Sequence, residues 1–213
     1  MDLTDHRQSY EQHTLPDTGL PSQPFALFRT WFDEAVAAGL PEPYAMSLAT
    51  CGADNRPSVR IVLMRELTEQ GIVFYTNYDS AKGQDIANNP NAEVLFFWQG
   101  LERQVRLSGQ IVKVDAQKSA AYFAKRPRES QLGAWVSEPQ SGVVDSRETM
   151  EAKFAKLEQT YAAESSVPYP NFWGGYELIV QRVEFWQGRA GRMHDRMVYT
   201  KDADAWTIQR LLP

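Results

Sequence analysis

The feature that most constrains this chain is a set of short strand-like runs, each closed by a turn signal, on both sides of a helical middle. "YAMSLAT" is followed by the turn "CGADNRP" and then by "SVRIVLMR"; "ELTEQG" turns into "IVFYTN". "AEVLFFW" and "ERQVRLSGQIVKV" read as a hairpin around "QGL", and "YELIVQRVEFWQG", "HDRMVYTK" and "AWTIQRLL" close the chain. These runs are rich in β-branched and aromatic residues and are bounded by Gly, Asn, Asp and Pro, the chemistry of strands and tight turns. Short strands joined in this way predict an antiparallel barrel or sandwich and argue against a doubly wound parallel sheet. The expected fold class is mainly β with helices, α+β.

Between the strands the period changes. "DAQKSAAYFAKR" is helical up to Pro127, and "PRESQLGAW" starts a second helix. "SRETMEAKFAKLEQTYAAE" is a charged helix with Met150, Phe154 and Leu157 on one face. Ahead of the strands, "PFALFRTWFDEAVAAG" has Pro24 at a first-turn position and Phe25, Phe28, Phe32 and Val36 at helical spacing. Residues 1–23 are polar and proline-punctuated and are expected to form a flexible arm. Residues 24–213 are expected to form a single domain with helical insertions, because strands lie on both sides of the helices.

Composition then excludes function classes. A formal charge of −5 argues against a general nucleic-acid binder and requires that any anionic ligand find a local cationic pocket. One cysteine, Cys51, allows no internal disulfide, and no Cys/His cluster has zinc spacing. No apolar run approaches the ~20 residues of a membrane-spanning helix, and the N-terminus has no apolar signal region. A cytoplasmic, soluble protein is expected, with no nucleic-acid or membrane partner and no metal.

Neither a G-x-G-x-x-G after a strand, nor a P-loop, nor a G-x-S-x-G occurs. What carries chemistry is a scatter of cations and hydroxyls at element ends. In "SVRIVLMR", strand alternation would put Arg60, Val62 and Met64 on one side and Arg65 on the other. In "SAKGQDIANNP", Ser80 suits an N-cap with Lys82 in the first turn, where backbone N–H groups attract anions. In "AAYFAKRPRESQ", Tyr122 and Arg126 share a helical face, with Ser130 just past the proline. Two hydroxyls and a guanidinium can grip a phosphate through charge-assisted bonds. In "RMHDR", a strand would point Arg192, His194 and Arg196 the same way, and like charge would disfavour the cationic histidine. Each segment also has an unexceptional reading: strand ends in water, an ordinary cap, a surface pair, a solvated polar strand end.

The ordered set resembles the pyridoxamine 5′-phosphate oxidase family, FMN enzymes that make pyridoxal 5′-phosphate. "RIVLMR", "FYTN", "NNP", "LERQVR", "YFAKRPRESQLGAWVS", "NFWGGY", "VEFWQG" and "RMHDR" follow the family's order from about residue 7 to the C-terminus. The resemblance implies an FMN-binding split β-barrel and a homodimer with its active site between subunits. It implies oxidation of pyridoxamine or pyridoxine 5′-phosphate by dioxygen, which becomes hydrogen peroxide. By matching motifs, FMN would be held by Arg60, Ile61, Val62, Leu63, Met64, Arg65, Tyr75, Thr76, Lys82, Gln104, Gln140, Ser141, Trp186 and Arg196. The substrate would meet Arg7, Tyr10, Arg65, Tyr122, Arg126, Ser130, Arg192, Met193 and His194, with Arg192 and His194 in the catalytic roles. The chain departs from the family's pattern in four places: Arg65 where lysine is common, Ala81 where many members carry arginine, an extra Pro139 before Gln140 and Ser141, and the arm after Tyr10. Beside this one stand a heme-handling split-barrel protein, for which His194 between two arginines is a poor axial ligand, and two further rival readings. One is another split-barrel flavin oxidoreductase, which would have no reason to keep Tyr122, Arg126, Ser130 and "RMHDR" together. The other is a non-catalytic carrier of flavin or pyridoxal phosphate.

Overall fold

The computed structural model describes residues 1–6, 9–164 and 166–213. The expected antiparallel α+β fold is what forms: nine strands belong to one sheet curled into a split barrel. Helix α1 (Pro24–Ala37) precedes β1 (Ala45–Cys51), β2 (Pro57–Leu63), the short β3 (Glu66–Leu67) and β4 (Gly71–Asn77). Helix α2 (Ala81–Asn88) leads to the hairpin of β5 (Asn91–Trp98) and β6 (Arg103–Lys113). Helices α3 (Ala116–Lys125), α4 (Arg128–Val136) and α5 (Arg147–Thr160) form the middle, and β7 (Trp173–Gln187), β8 (Asp195–Asp202) and β9 (Ala205–Arg210) end the chain.

The sheet runs β2-β1-β5-β6-β7-β4-β3, with β8 on β7 and β9 on β8. Strand β7 makes this branching possible. Its first half pairs with β4 (Trp173↔Asn77 to Ile179↔Gly71) and its second half with β8 (Arg182↔Thr200 to Gln187↔Asp195), while β6 runs along both. A register shift at Ser108/Gly109 marks the bend.

The main core lies inside the curl. Met46, Leu48, Phe74, Phe96, Leu107, Leu178 and Phe185 are all at most 1% exposed, and α1 closes over them. Burying a side chain such as Phe28 stabilises the fold by roughly 1.5–3 kcal/mol. The face of α1 that does this differs from the expected one: Leu27, Phe28, Trp31 and Ala35 are buried, Phe25 and Phe32 pack at the margin, and Val36 stays 53% exposed. Two stripes on this helix have helical spacing, and the larger Trp31 together with Leu27 turns the second one inward. Helix α5 buries no residue; Phe154 and Leu157 are half-buried and Met150 is exposed.

A second, smaller core of Phe123, Ala134, Phe172 and Trp173 sits under α3 and α4, with Tyr75 and Tyr122 packed against it. Among the described residues, no helix is long and apolar enough to cross a membrane.

Two expectations about alternation need correction. Arg60 and Val62 do share a face, paired with the core residues Leu48 and Met46, but β2 ends at Leu63, so Met64 is not a strand position. In "RMHDR" only Asp195 and Arg196 belong to a strand. Gly191 (φ 63°) and Arg192 (φ 62°) are both left-handed. A strand cannot pass through that conformation, so Arg192, Met193 and His194 are set by a turn and not by alternation.

Candidate functional site

Three groups of side chains, each built differently, hold most of the residues singled out above. The first surrounds Lys82. Ser80 caps α2: its Oγ accepts from the Gly83 N–H (3.2 Å) and donates to the Asn77 carbonyl (2.7 Å). The cap puts Lys82 in the first turn, and its Nζ donates to Thr76 Oγ1 (3.1 Å), Ser80 Oγ (3.2 Å) and Gln140 Oε1 (3.0 Å). The Ala81 N–H donates to Ser141 Oγ (3.3 Å), so the loop carrying the extra Pro139 brings Gln140 and Ser141 to the helix N-terminus. Arg60 reaches the same end of the sheet, donating to Leu48 O (3.1 Å), Thr50 Oγ1 (2.7 Å) and Ser58 Oγ (2.6 Å), with Asp85 3.7 Å away. Burial first, and Arg60 second, pull the Lys82 pKa below the ordinary lysine value. Two cations, hydroxyls and a helix N-terminus converge here, a donor set suited to a phosphate. Ala81, exposed, adds no cation to it.

The second group lies on the other side of β4. Adjacent strand residues face opposite ways, and Tyr75, beside Thr76, points to the small core. Its ring stacks on Tyr122 (3.9 Å between centroids, 17°) and on Trp173 (5.5 Å). Burial and the nearby Glu66 push the Tyr75 hydroxyl up to about 12. Arg126 ends α3, its guanidinium 4.7 Å from the Trp173 ring centroid. Its Nη1 is the one buried side-chain nitrogen or oxygen without a hydrogen-bond partner among the described residues. Burial, and then Arg65, lower the Arg126 pKa, against the opposing effect of Tyr122. An unpaired buried donor on a charged group costs ~1–3 kcal/mol or more, which an anion would offset. Ser130 is half-buried in the first turn of α4, four residues after Arg126.

The third group gathers at the β7–β8 end. His194 lies 4.7 Å from the Trp186 ring and Tyr10 5.8 Å from it, with Tyr10 and His194 5.9 Å apart. The Arg189 N–H donates to His194 Nδ1 (3.1 Å). In the neutral ring the proton therefore sits on Nε2. Burial first, then Arg192, lower the His194 pKa, and Asp195 opposes them. Arg192 and Met193 are exposed beside it. Gln104, Trp186 and Arg196 form a row across β6, β7 and β8 on one face of the sheet.

Four residues in these groups were not singled out from the sequence. Glu184, 1% exposed, receives Arg182 (2.8 Å) and Arg196 (2.8 Å), with Arg106 at 3.8 Å. Burial alone would raise its pKa; the Arg182 and Arg196 hydrogen bonds outweigh that and hold it low. Asp195, Glu102 and Trp173 were also passed over. The acidic residue inside "VEFW" was the available signal for Glu184, since a carboxylate in an apolar strand run needs partners.

Among the remaining expected residues, Ile61 is 64% exposed, Val62 and Leu63 are half-buried, Met64 is 9% exposed and Arg65 is exposed over the Tyr44 ring. Arg7 lies outside the described residues. The structure thus brings Arg60, Thr76, Lys82, Gln140 and Ser141 together, and separately Tyr75, Tyr122 and Arg126. It sets the Trp186–His194 group at the other end of β7: Tyr75 and Thr76 pair with Gly175 and Gly174 near that strand's start, whereas Trp186 pairs with Gln104 and Arg196 near its end.

Known proteins match this arrangement over the whole chain. A family model described as "Pyridoxamine 5′-phosphate oxidase" matches residues 32–161, and one described as "Pyridoxine 5′-phosphate oxidase C-terminal dimerisation region" matches 173–213. A pyridoxine/pyridoxamine 5′-phosphate oxidase of Psychrobacter cryohalolentis is 61% identical over 214 residues, covering 100% of this chain and 99% of that one. One from Acinetobacter baumannii is 52% identical, covering 100% and 97%. Among solved structures, PhzG of Burkholderia lata in complex with tetrahydrophenazine-1-carboxylic acid superposes with TM-score 0.89 at 28% identity, over 96% of this chain and 100% of that one. A pyridoxamine 5′-phosphate oxidase-related, FMN-binding protein of Nostoc punctiforme shares the fold, with TM-score 0.68 at 18% identity, over 87% and 97%.

Proposed function

The chain belongs to the pyridoxamine 5′-phosphate oxidase family, a family of oxidoreductases, and from that premise we propose an FMN-dependent oxidase acting on pyridoxamine or pyridoxine 5′-phosphate. The product is pyridoxal 5′-phosphate and the oxidant is dioxygen, reduced to hydrogen peroxide. A cytoplasmic location belongs to the same proposal, as does the division into an arm at 1–23 and one domain at 24–213.

The observation that carries this reading is the buried Arg126 guanidinium with its unpartnered Nη1. A carrier for flavin alone has no use for a second anion site beyond β4. Here Arg126, Arg65, Tyr122 and Ser130 hold the substrate phosphate. Charge-assisted bonds contribute roughly 1.5–3 kcal/mol each, enough to fix one end of a small molecule against the mild repulsion of a chain with net charge −5. With that end fixed, the oxidised carbon is held at one position, and holding reactants in register supplies much of a rate enhancement.

The Lys82 cradle fits the cofactor phosphate: Lys82 at a helix N-terminus faces only neutral oxygens, and Arg60, with Asp85 3.7 Å away, stands beside it. Bound FMN supplies the two-electron oxidation and passes the electrons to dioxygen. Arg192 covers the substrate ring and balances charge that develops on it. His194 stays neutral and presents Nε2–H as a donor, its Nδ1 already engaged by Arg189. Tyr10 and Trp186 wall the ring, and Glu184 holds the Arg196 fork in place through a 2.8 Å pair.

The site is completed by a second copy of the chain. Val59, Ile61 and Phe97 leave an apolar face 70%, 64% and 54% exposed on the outer side of the β2-β1-β5 edge. That face, and the match of 173–213 to a dimerisation region, support a homodimer. In it, the Gln104–Trp186–Arg196 row of one subunit meets the Lys82 cradle of its partner. The test is steady-state oxidation of pyridoxine 5′-phosphate by the FMN-loaded protein. Arg126→Ala should raise KM by roughly 10- to 100-fold while leaving FMN affinity in place; loss of FMN with an unchanged KM contradicts the assignment of the two phosphate sites.

A further inference from the structure

The segment that brings Tyr10 to the ring pair is tied down at Gln12, Leu15 and Asp17, none of which lies in a quoted motif. Leu15 is 4% exposed, its side chain in the main core. Its backbone is gripped on both sides: the N–H donates to Asp195 Oδ2 (3.0 Å), and the carbonyl accepts from Arg210 Nη2 (2.9 Å). Arg210 Nη1 donates to Asp195 Oδ1 (2.7 Å), and Arg210 Nε donates to Asp17 Oδ1. One guanidinium therefore joins Asp17 and Leu15 of the arm to Asp195, the residue that follows His194. Arg189 adds a contact to Asp195 Oδ2 at 3.4 Å. Burial alone would raise the Asp195 pKa; the Leu15 N–H and Arg210 outweigh it, so the carboxylate is kept charged.

Closer to Tyr10 the arm is tied again. The Gln12 N–H donates to Glu102 Oε2 (3.1 Å), and Glu102, 4% exposed, accepts the Gly188 N–H at its carbonyl (2.8 Å). Gly188 is what lets the arm lie down: a Cβ there would sit 2.7 Å from Tyr10 Cβ. Five residues span at most ~17 Å when extended, so fixing Leu15 and Gln12 leaves Tyr10 little room to leave the Trp186–His194 pair.

We propose that Asp195 and Arg210 are positioning residues, a clip that holds the N-terminal arm so that Tyr10 stays over the Trp186–His194 rings and closes the substrate side of the site. The proposal rests on the reading of those rings as part of the active site. The planar fork suits it, because Nε, Nη1 and Nη2 each address a different acceptor: Asp17, Asp195 and the Leu15 carbonyl. Neither residue touches substrate; both act through Tyr10.

The test uses the FMN-loaded full chain and four variants: Arg210→Gln, Tyr10→Ala, their combination and Gly188→Ala. In Arg210→Gln, amide exchange at Gln12 and Leu15 should speed up at least about tenfold, with the β6 and β7 amides unchanged. KM for pyridoxine 5′-phosphate should rise roughly tenfold with kcat within about twofold. Tyr10→Ala should raise KM alike in the parent and add nothing in the Arg210→Gln background. Gly188→Ala, which displaces the arm without touching the clip, should reproduce the KM change while Leu15 stays protected. Unchanged exchange at Leu15, additive effects of the two substitutions, or a fall in KM each overturns the proposal. A parent that does not oxidise pyridoxine 5′-phosphate overturns the functional reading instead, and Leu15 exchange in Arg210→Gln then still decides whether the clip holds the arm.

Discussion

His194 is the residue whose chemistry is most sensitive to its surroundings. Burial and Arg192 hold its pKa below the ordinary 6.5, with Asp195 opposing. The folded protein therefore binds fewer protons than the unfolded chain in this range. This group's contribution to stability is full above pH 6.5 and is lost as the pH falls below it toward the folded midpoint. An NMR titration should place the His194 midpoint under 6.5, and Arg192→Gln should move it upward; a midpoint unmoved by that change would remove Arg192 from the histidine's environment. The sequence showed that arginines flank this histidine, and like charge was the cause it offered. It could not show that burial against Trp186 and Tyr10 is the larger cause, because Tyr10 stands 176 positions before Trp186 in the chain (186 − 10). Arg126 was legible as one cation near two hydroxyls. Its burial over Trp173 was not, since the stack depends on β4, α3 and β7 meeting.

At the scale of elements, α2 positions the Lys82 cradle, and Gly83 sets its depth. A Cβ at Gly83 would lie 1.9 Å from the Tyr78 carbonyl oxygen, a backbone atom that cannot step aside. Alanine in place of a helical glycine ordinarily gains ~1 kcal/mol. Here the clash outweighs that gain, so Gly83→Ala should lower the melting temperature and weaken FMN binding together. A stabilised variant with intact FMN affinity would mean that α2 can shift without disturbing Lys82. The Ser80 cap and the order of strands were readable because each depends on neighbours in sequence: Ser80 caps an amide three residues on, and the β5–β6 hairpin closes around "QGL". The inward face of α1 was misread as Phe25–Val36, because spacing gives a helix two candidate stripes and only the sheet beneath selects Trp31. The turn before β8 was hidden for a different reason: Arg192 adopts φ 62°, a conformation uncommon for a residue with a side chain.

For the whole molecule the account turns on pairing. One chain carries the Lys82 cradle, whose Thr76 pairs with Gly174 at the start of β7, and the Trp186 row at the other end of the same strand, and it leaves Ile61 and Phe97 on an exposed apolar face. Ile61→Asp should place a charge in the subunit contact, shift the protein to monomer in sedimentation, and lose FMN with it. A monomer that keeps its flavin at parental affinity would show that one chain holds the cofactor alone. Sequence carried the antiparallel barrel, its helical insertion and the family motifs, but a contact between copies has no local pattern to read. The most direct test of the central claim is the visible absorption of the FMN-loaded protein when pyridoxine 5′-phosphate is added without oxygen. The flavin band should bleach with one equivalent of pyridoxal 5′-phosphate formed per flavin, and return on admitting air; a band that keeps its intensity while the ligand binds would identify a carrier and contradict the oxidase.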